Sequence, residues 1–277
     1  YTYQVPYAYA ENYIKEVNKI VNKHKVNLIF PTTDYEIYYL SLNEALLGSR
    51  VVASNYDVTK IYLDKYLTYK YHFENNIPFA KSWLPKDYDF SEKNIIAKPR
   101  EGRGSRGLMI NPEKPSKLSD EYMIQPLYVG KEVTTAVYVN KYNKLHGVFS
   151  MERELANGAT YKAKVIFDYD DKLIDIANKM IKLGGLKGSF NIQSIITENK
   201  EIIPFEINCR ISGTNSIRHN LGFKDVVYTL QEYLLGRKPD KPNPIHGIAI
   251  RKLLDIIYPN VDDIDKIING NQQHIVY

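Results

Sequence analysis

The sequence predicts an α+β protein whose first part is an α/β fragment. Three observations support this class: a helical pattern that runs into a buried strand near the amino terminus, a series of short apolar runs between 94 and 149, and two alternating strands across a short turn at 188–208. A chain of 277 residues also exceeds the roughly 100 to 200 residues of one domain, so we expect two or more lobes.

Composition restricts the partners. A net charge of +5 without a basic run argues against nucleic acid and favours an anionic small molecule. No apolar run approaches the ~18 residues of a membrane span, so no membrane partner is expected. The single cysteine, Cys209, cannot form an internal disulfide, which favours a reducing cytoplasm as the location. Because the chain begins at Tyr1 without Met, we expect further chain, including an opening strand, to precede it.

The first 54 residues are predicted to form half of a parallel-sheet unit. Helices over 11–25 and 36–47 each lead into a short strand, at 26–30 and 50–53. The chain then continues with one long helix over 57–76. The later predicted elements are strands at 94–99, 108–110, 122–125, 132–139 and 144–149, a helix over 173–183, strands at 188–197 and 202–208, a helix over 225–235, a strand at 247–251 and a helix near 261–268.

The segment 102–107 has the pattern G-x-G-x-x-G but lies between two predicted strands. A dinucleotide site requires a helix after the glycines, so that pyrophosphate can lie at the helix N-terminus. Between strands, a glycine-rich loop can instead close over phosphates with its backbone N–H groups. On its own the loop could equally be a mobile hairpin, but Lys98 on the preceding strand would direct a cation at the same phosphates, which favours phosphate binding.

The predicted hairpin at 188–208 brings polar side chains to one face. A two-residue turn at 199–200 pairs Gln193 with Glu206 and Asn191 with Asn208. Carboxylate and amide oxygens suit Mg²⁺, and a solvated hairpin face is the alternative. The opposite face is apolar and is expected to be buried; its members are Phe190, Ile192, Ile196, Ile203, Phe205 and Ile207.

The loop that follows this hairpin is polar and lies between Arg210 and Arg218, an arrangement that suits a phosphorylated or carboxylated ligand. We expect the loops at 156–164 and 212–220 to determine specificity. The sequence contains no P-loop, no H-R-D or D-F-G kinase motif, no H-E-x-x-H and no G-x-S-x-G. Cys209 is better explained as a small buried strand residue than as a nucleophile.

Several of these features occur in the order typical of one superfamily. The Asp64–Lys65 pair, Lys98 on its strand, the glycine loop, the strand end from Met123 to Leu127, and Gln193 with the E-x-N-x-R motif at 206–210 resemble the ATP-grasp superfamily from about residue 50 to 236. Because it has Gln193 and the E-x-N-x-R motif, the chain looks like a single ATP-grasp unit of the carbamoyl-phosphate synthase large subunit and its short single-unit relatives.

The resemblance implies the ATP-grasp fold, in which two α+β lobes clamp ATP. It divides the chain into a partial Rossmann-like pre-ATP-grasp domain at 1–54, a lid lobe with the glycine-rich flap at 55–126, and a C-terminal lobe with the metal site at 127–277. The implied cofactors are ATP and Mg²⁺, or Mn²⁺ in its place.

The resemblance also assigns roles to individual residues. Lys98 and Arg210 would be catalytic, through stabilisation of the transferring phosphoryl group. The nucleotide-binding residues would be Lys65, Lys98, Gly102, Gly104, Ser105, Gly107, Gln125, Pro126, Leu127 and Glu132. The metal ligands would be Gln193, Glu206 and Asn208, and the substrate-binding residues Arg153, Arg210 and Arg218. For Arg153, a surface ion pair with Glu152 or Glu154 is an equal alternative.

The activity implied is ligation: ATP phosphorylates a carboxylate to an acyl phosphate, which an amine or similar nucleophile attacks. The expected partners are therefore a small-molecule carboxylate and an amine, and a homodimer is left open. Two alternatives remain, a carbamoyl-phosphate synthase-like unit acting on bicarbonate or carbamate and a non-catalytic ATP-binding module. A dinucleotide-dependent oxidoreductase ranks last, because a strand rather than a helix follows the glycine loop.

Overall fold

The computed structural model describes residues 1–102, 104, 106–252, 256–262 and 274–276. These residues form a parallel two-stranded sheet near the amino terminus, an antiparallel three-stranded sheet, an antiparallel six-stranded sheet and an antiparallel two-stranded sheet near the carboxyl terminus. The predicted α+β class with an α/β start is confirmed. Most of the helix expected near 261–268 lies outside the described residues.

The amino-terminal unit contains α1 (Tyr13–His24), β1 (Leu28–Ile29), α2 (Asp34–Leu42) and β2 (Arg50–Val51), with β1 and β2 parallel. A capping box begins α2: the Thr33 hydroxyl accepts the Glu36 N–H at 3.2 Å, and Glu36 Oε2 accepts the Thr33 N–H at 3.0 Å. Because this box satisfies N–H groups that a helix start leaves unpaired, it fixes the position of the first turn of α2.

The prediction of one helix over 57–76 is wrong. The chain forms α3 (Tyr56–Leu63) and α4 (Lys65–Glu74), separated by Asp64 in an extended conformation. The Asp64 side chain accepts the N–H groups of Tyr66 and Leu67 at 2.8 and 3.1 Å, as an N-cap does. Helical spacing continues across this break, so periodicity alone did not reveal it. The break makes Lys65 the first residue of α4.

The three-stranded sheet contains β3 (Ile95–Pro99), β4 (Met109–Ile110) and β5 (Tyr122–Pro126), in the order β4-β3-β5. It has an apolar core of its own, formed by Trp83, Tyr88, Ile95, Ala97 and Ile124. We call this sheet and its core the lid lobe. The glycine-rich loop connects β3 to β4, as the sequence predicts, and so lies at the edge of the lid lobe.

The six-stranded sheet has the order β10-β9-β6-β7-β8-β11. Its strands are β6 (Lys131–Val139), β7 (Leu145–Ala156), β8 (Ala159–Ile166), β9 (Gly188–Ile196), β10 (Ile202–Asn208) and β11 (Ile248–Ile250). The helices of this region are α5 (Asp170–Lys182), α6 (Asn215–Asn220) and α7 (Asp225–Tyr233), and the last two-stranded sheet pairs β12 (Ile256–Ile257) with β13 (Ile275–Val276).

The expectation that 156–164 is a loop is wrong, whereas its part in specificity stays a prediction, since Gly158 and Thr160 line the cavity described below. The residues of this range form the turn between β7 and β8 and most of β8 itself, with Asn157 and Gly158 at positive φ in the tight turn. Alternation marks this strand, since Ala163 and Val165 are buried while Lys164 is exposed. The largest core cluster joins Ile37 and Tyr62 to the sheet residues Val137 and Phe190, so segments from all three predicted domains pack together.

The hairpin of β9 and β10 has the predicted pairs Gln193–Glu206 and Asn191–Asn208, but its turn length and the regularity of its ladder differ from the prediction. The turn has three residues rather than two, because Thr197 pairs with Glu201 and Lys200 adopts a φ of 60°. A β-bulge between Pro204 and Glu206 then restores the register, with Phe205 as the extra residue. Phe205 therefore lines the cavity described below, instead of the apolar face predicted for it.

One buried histidine should make stability depend on pH. Burial lowers the pKa of His72 from 6.5 to about 4, against a smaller opposite effect of its hydrogen bond to the Pro78 carbonyl. The unfolded chain therefore binds the proton first as pH falls. We expect the free energy of unfolding to decrease by about 3 kcal/mol between pH 6.5 and pH 4, measured by urea denaturation. His72→Gln should remove this component, and His24→Gln at a partly exposed histidine should retain it; equal pH profiles for all three proteins would contradict the assignment.

Candidate active site

One cavity of about 370 Å³ is lined by both the lid lobe and the six-stranded sheet. From the lid lobe come Ile96 and Lys98 on β3 and the end of β5. From the large sheet come polar side chains on β6, β7, β9 and β10. Strand β3, which carries Lys98, and the hairpin of β9 and β10 thus face the same cavity. The sequence predicts that these two elements form one site.

Two lysines reach this space from different elements. Lys65, at the start of α4, donates to the Gly102 carbonyl at 3.2 Å, and Lys98 on β3 donates to the Phe205 carbonyl at 3.1 Å. Only 6% of Lys98 is exposed. Burial lowers the pKa of Lys98 to about 7, an effect that Glu206 opposes and Lys65 reinforces. Two lysine amines held by main-chain oxygens therefore face the cavity, and an anionic phosphate bound there would favour the protonated form of Lys98.

The three predicted metal ligands form a hydrogen-bonded chain on the other wall. Gln193 Nε2 donates to Asn208 Oδ1 at 2.9 Å, and Asn208 Nδ2 donates to Glu206 Oε1 at 3.0 Å. Burial would raise the pKa of Glu206, but Lys65 and Lys98, with the Asn208 hydrogen bond, outweigh it and lower the pKa. Glu206 is thus a carboxylate within a cluster of cations.

This donor set fits a hard divalent cation. Its members are one carboxylate and two amides, whose oxygens are the ligand type that Mg²⁺ takes, usually with water and phosphate completing the shell. Among the described residues, no group of three or more His, Cys, Asp or Glu side chains that could hold a metal ion occurs.

Arg153 lies in the cavity rather than in a surface ion pair. Its Nε donates to Glu132 Oε1 at 3.0 Å, and its Nη2 donates to Gln193 Oε1 at 2.8 Å. The surface alternative is wrong, because Glu152 and Glu154 pair instead with exposed lysines. Arg153 therefore joins Glu132, one of the predicted nucleotide-binding residues, to the amide and acid cluster.

The end of β5 lines the cavity with Gln125, Pro126 and Leu127. Gln125 Nε2 donates to Ser82 Oγ at 2.9 Å, and the Leu127 N–H donates to the Asn94 carbonyl at 2.9 Å. The Leu127 N–H is thus already engaged by the protein. Contact of this segment with a nucleotide stays a prediction.

The glycine flap lines the cavity only in part. Gly102 and Gly104 belong to the lining, whereas Gly107 lies outside it. A Cβ at Gly107 would approach Pro99 to 3.0 Å, so this glycine permits close packing on β3 rather than lining the cavity. Ser105 lies outside the described residues.

Arg210 lines the cavity, whereas Arg218 does not and lies within α6, a helix that occupies most of the segment 212–220 predicted as a loop. Arg218 is fully buried: its Nε donates to Asp225 at 3.2 Å, and its Nη1 donates to the hydroxyls of Ser212 and Thr214 at 2.6 and 3.1 Å. The prediction that Arg218 contacts substrate is therefore wrong, because the side chain has no exposed surface. It anchors a loop whose residues Ser212 and Thr214 line the cavity.

Two residues escaped the sequence reasoning. Arg251, which directly follows β11, lines the cavity and donates to the Gly213 carbonyl at 2.8 Å. Asp34, at the first position of α2, accepts from Arg210. The sequence holds a signal for Asp34, since Thr33 and Glu36 form a capping-box pattern directly after a parallel strand, where α/β ligand sites commonly lie.

Among the helices the structure describes, none has the length and apolarity of a membrane span.

Comparison with known protein families gives one domain match. The model of the ATP-grasp domain family matches residues 62–214, more than half of the chain. A curated relative, 5-formaminoimidazole-4-carboxamide-1-(beta)-D-ribofuranosyl 5'-monophosphate synthetase of Methanococcus vannielii, is 34% identical over 73 residues, which are 26% of this chain and 20% of that protein. The chain thus aligns with about a fifth of this relative's length.

Solved structures agree on the fold. The biotin carboxylase domain of Hydrogenobacter thermophilus 2-oxoglutarate carboxylase, in complex with MgADP, ADP and bicarbonate, has a TM-score of 0.70 at 14% identity and covers 86% of this chain and 60% of its own. N5-carboxyaminoimidazole ribonucleotide synthetase from Thermotoga maritima has a TM-score of 0.66 at 15% identity, over 88% of this chain and 70% of its own. At these identities the similarity concerns the fold alone.

Proposed function

This chain belongs to the ATP-grasp domain family, and from that membership we propose that it is an ATP- and Mg²⁺-dependent ligase of the carboxylate–amine type. A carboxylate oxygen of the substrate takes the γ-phosphoryl group of ATP with release of ADP, and an amine or similar nucleophile then attacks the acyl phosphate with release of phosphate. The observation that carries the proposal is the arrangement of Lys65 and Lys98 opposite Glu206 and its two amide neighbours across one cavity.

The residues of the cavity divide the work of such a reaction. Lys65 and Lys98 bind phosphate oxygens, and Arg210 stabilises charge on the transferring phosphoryl group. Gln193, Glu206 and Asn208 would hold Mg²⁺, which supplies charge neutralisation at the phosphate oxygens when bound. The attacking atom is the carboxylate oxygen of the substrate. The protein therefore contributes position and electrostatics and needs no nucleophile of its own.

A panel of acceptors tests the proposal. Purified protein is incubated with Mg-ATP and single amino acids, small carboxylates or bicarbonate, with hydroxylamine as the nucleophile, and phosphate and hydroxamate are measured. We expect one acceptor class to raise phosphate release at least about tenfold, with hydroxamate formed, because an acyl phosphate reacts readily with hydroxylamine. Lys98→Ala should lose this activity.

The remaining outcomes separate the alternatives. Stimulation by bicarbonate alone would favour the carbamoyl-phosphate synthase-like unit. Mg-ATP binding in calorimetry without phosphate release for any acceptor would contradict the ligase and favour a non-catalytic nucleotide-binding module.

A further inference from the structure

The amino-terminal unit reaches the rim of the cavity through one ion pair. Arg210 Nε and Nη2 both donate to Asp34 Oδ2, at 3.1 and 2.9 Å, across 176 positions of the chain. The two side chains are 16% and 18% exposed. Arg210 lines the cavity, whereas Asp34 lies outside its lining. Among the described residues, the hydrogen bonds of the Asp34 side chain thus connect it to the cavity lining through Arg210.

Asp34 is held on a rigid support. It is the first residue of α2, directly after Thr33, whose hydroxyl accepts the Glu36 N–H. Glu36 Oε2 in turn accepts the N–H groups of Thr32 and Thr33 at 3.2 and 3.0 Å. These bonds leave the backbone around Asp34 little freedom, so its carboxylate is a fixed point against which Arg210 is placed.

Arg210 requires such a point. Its guanidinium lies at the end of a flexible stem, and Arg210 lies two positions after Asn208, the last residue of β10, beyond the ladder of the sheet. Two donors on one oxygen fix the plane of the guanidinium. The Nη1 group has only a long contact, 3.5 Å, to the Ile211 carbonyl, so it is available to an anion in the cavity. Without Asp34, binding of the anion would also have to order the Arg210 side chain.

We propose that Asp34 is a positioning residue that holds Arg210 in the orientation needed for phosphoryl transfer, so that the amino-terminal unit completes the active site. The proposal rests on the function proposed above. Orientation and charge act oppositely here, because the negative charge of Asp34 weakens the attraction of Arg210 for an anion, while its oxygen fixes the guanidinium. Asn keeps an acceptor oxygen without the charge, and Ala keeps neither.

The test is a double-mutant cycle on phosphate release from Mg-ATP, with water in place of the acceptor. Asp34→Ala should lower kcat by about 10- to 100-fold, because Arg210 is no longer held in the required orientation. The KM for ATP should change by less than about threefold, because the nucleotide still binds. Asp34→Asn should stay within about threefold of the unmodified protein. Adding Asp34→Ala to Arg210→Ala should have no further effect, because both changes remove one interaction.

Asp57→Ala, an exposed acidic residue in the first turn of α3, is the matched control and should keep full activity. Unchanged kcat in Asp34→Ala, losses that multiply in the double variant, or an activity loss accounted for by thermal unfolding at the assay temperature would each overturn the proposal. Full activity of Arg210→Ala would remove the role of Arg210 and this inference with it. Failure of the proposed function has a separate signature, the absence of phosphate release from Mg-ATP by the unmodified protein under every condition of the acceptor panel.

Discussion

A Glu206→Gln variant should consume ATP about 10²- to 10³-fold more slowly than the unmodified protein while keeping its fold. Glutamine has the same shape and can accept the Asn208 hydrogen bond, so the hairpin should remain intact. The negative charge, however, is lost from the wall that faces Lys65 and Lys98, and with it the one carboxylate among the proposed metal ligands. The measurement is steady-state phosphate release with the acceptor identified in the panel.

Glu201→Gln on the same hairpin is the control, because this side chain is exposed and lies outside the cavity. It should have unchanged activity. Raising Mg²⁺ tenfold should recover part of the activity of Glu206→Gln, since a weakened site fills at higher metal concentration. A Glu206→Gln protein with normal turnover and a normal melting temperature would contradict the proposed role of Glu206 as a metal ligand.

Arg218→Met should lower the free energy of unfolding by about 3–5 kcal/mol. Neither Arg218 nor Asp225 has any exposed side-chain surface, and Asp225 Oδ1 already has no partner among the described residues. Removing the arginine leaves a buried carboxylate without its cation, which is among the most destabilising changes available to a folded protein. Urea denaturation at constant pH measures the change.

The same substitution at Arg237 provides the comparison. Arg237 also pairs with an aspartate, Asp240, but both side chains are more than half exposed, so Arg237→Met should cost less than about 1 kcal/mol. Replacing Arg218 and Asp225 together with apolar residues should destabilise less than Arg218→Met alone, because no charge is left buried. Equal destabilisation by the two single arginine variants would show that burial of the Arg218 pair is unimportant.

Local patterns in the sequence predicted much of the candidate site. Glu206 and Asn208 lie two positions apart on a strand and therefore share a face, which spacing alone reveals. The direction of the Lys98 side chain is predicted from its position on an apolar strand in the same way. These predictions succeed because side-chain direction in a strand is determined by neighbours only a few residues away.

Contacts between distant segments could not be predicted in this way. The pairing of Asp34 with Arg210 depends on how the amino-terminal unit packs on the large sheet, and no periodicity encodes that packing. Arg218 illustrates the opposite error, because a charged residue in a polar loop is usually exposed, yet here Asp225 allows its complete burial. The break at Asp64 was missed because capping competes with an uninterrupted helical pattern.

The bulge at Phe205 has a consequence for how the site can change over time. The extra residue places both its main-chain oxygen, 3.1 Å from Lys98 Nζ, and its ring, with the centroid 5.1 Å from the same atom, against Lys98. Replacing Phe205 with a non-aromatic residue would remove the ring contact and leave the main-chain oxygen available to Lys98. A deletion of one residue, by contrast, would restore a regular ladder and remove both contacts, so chain length at this point is constrained as well as residue identity.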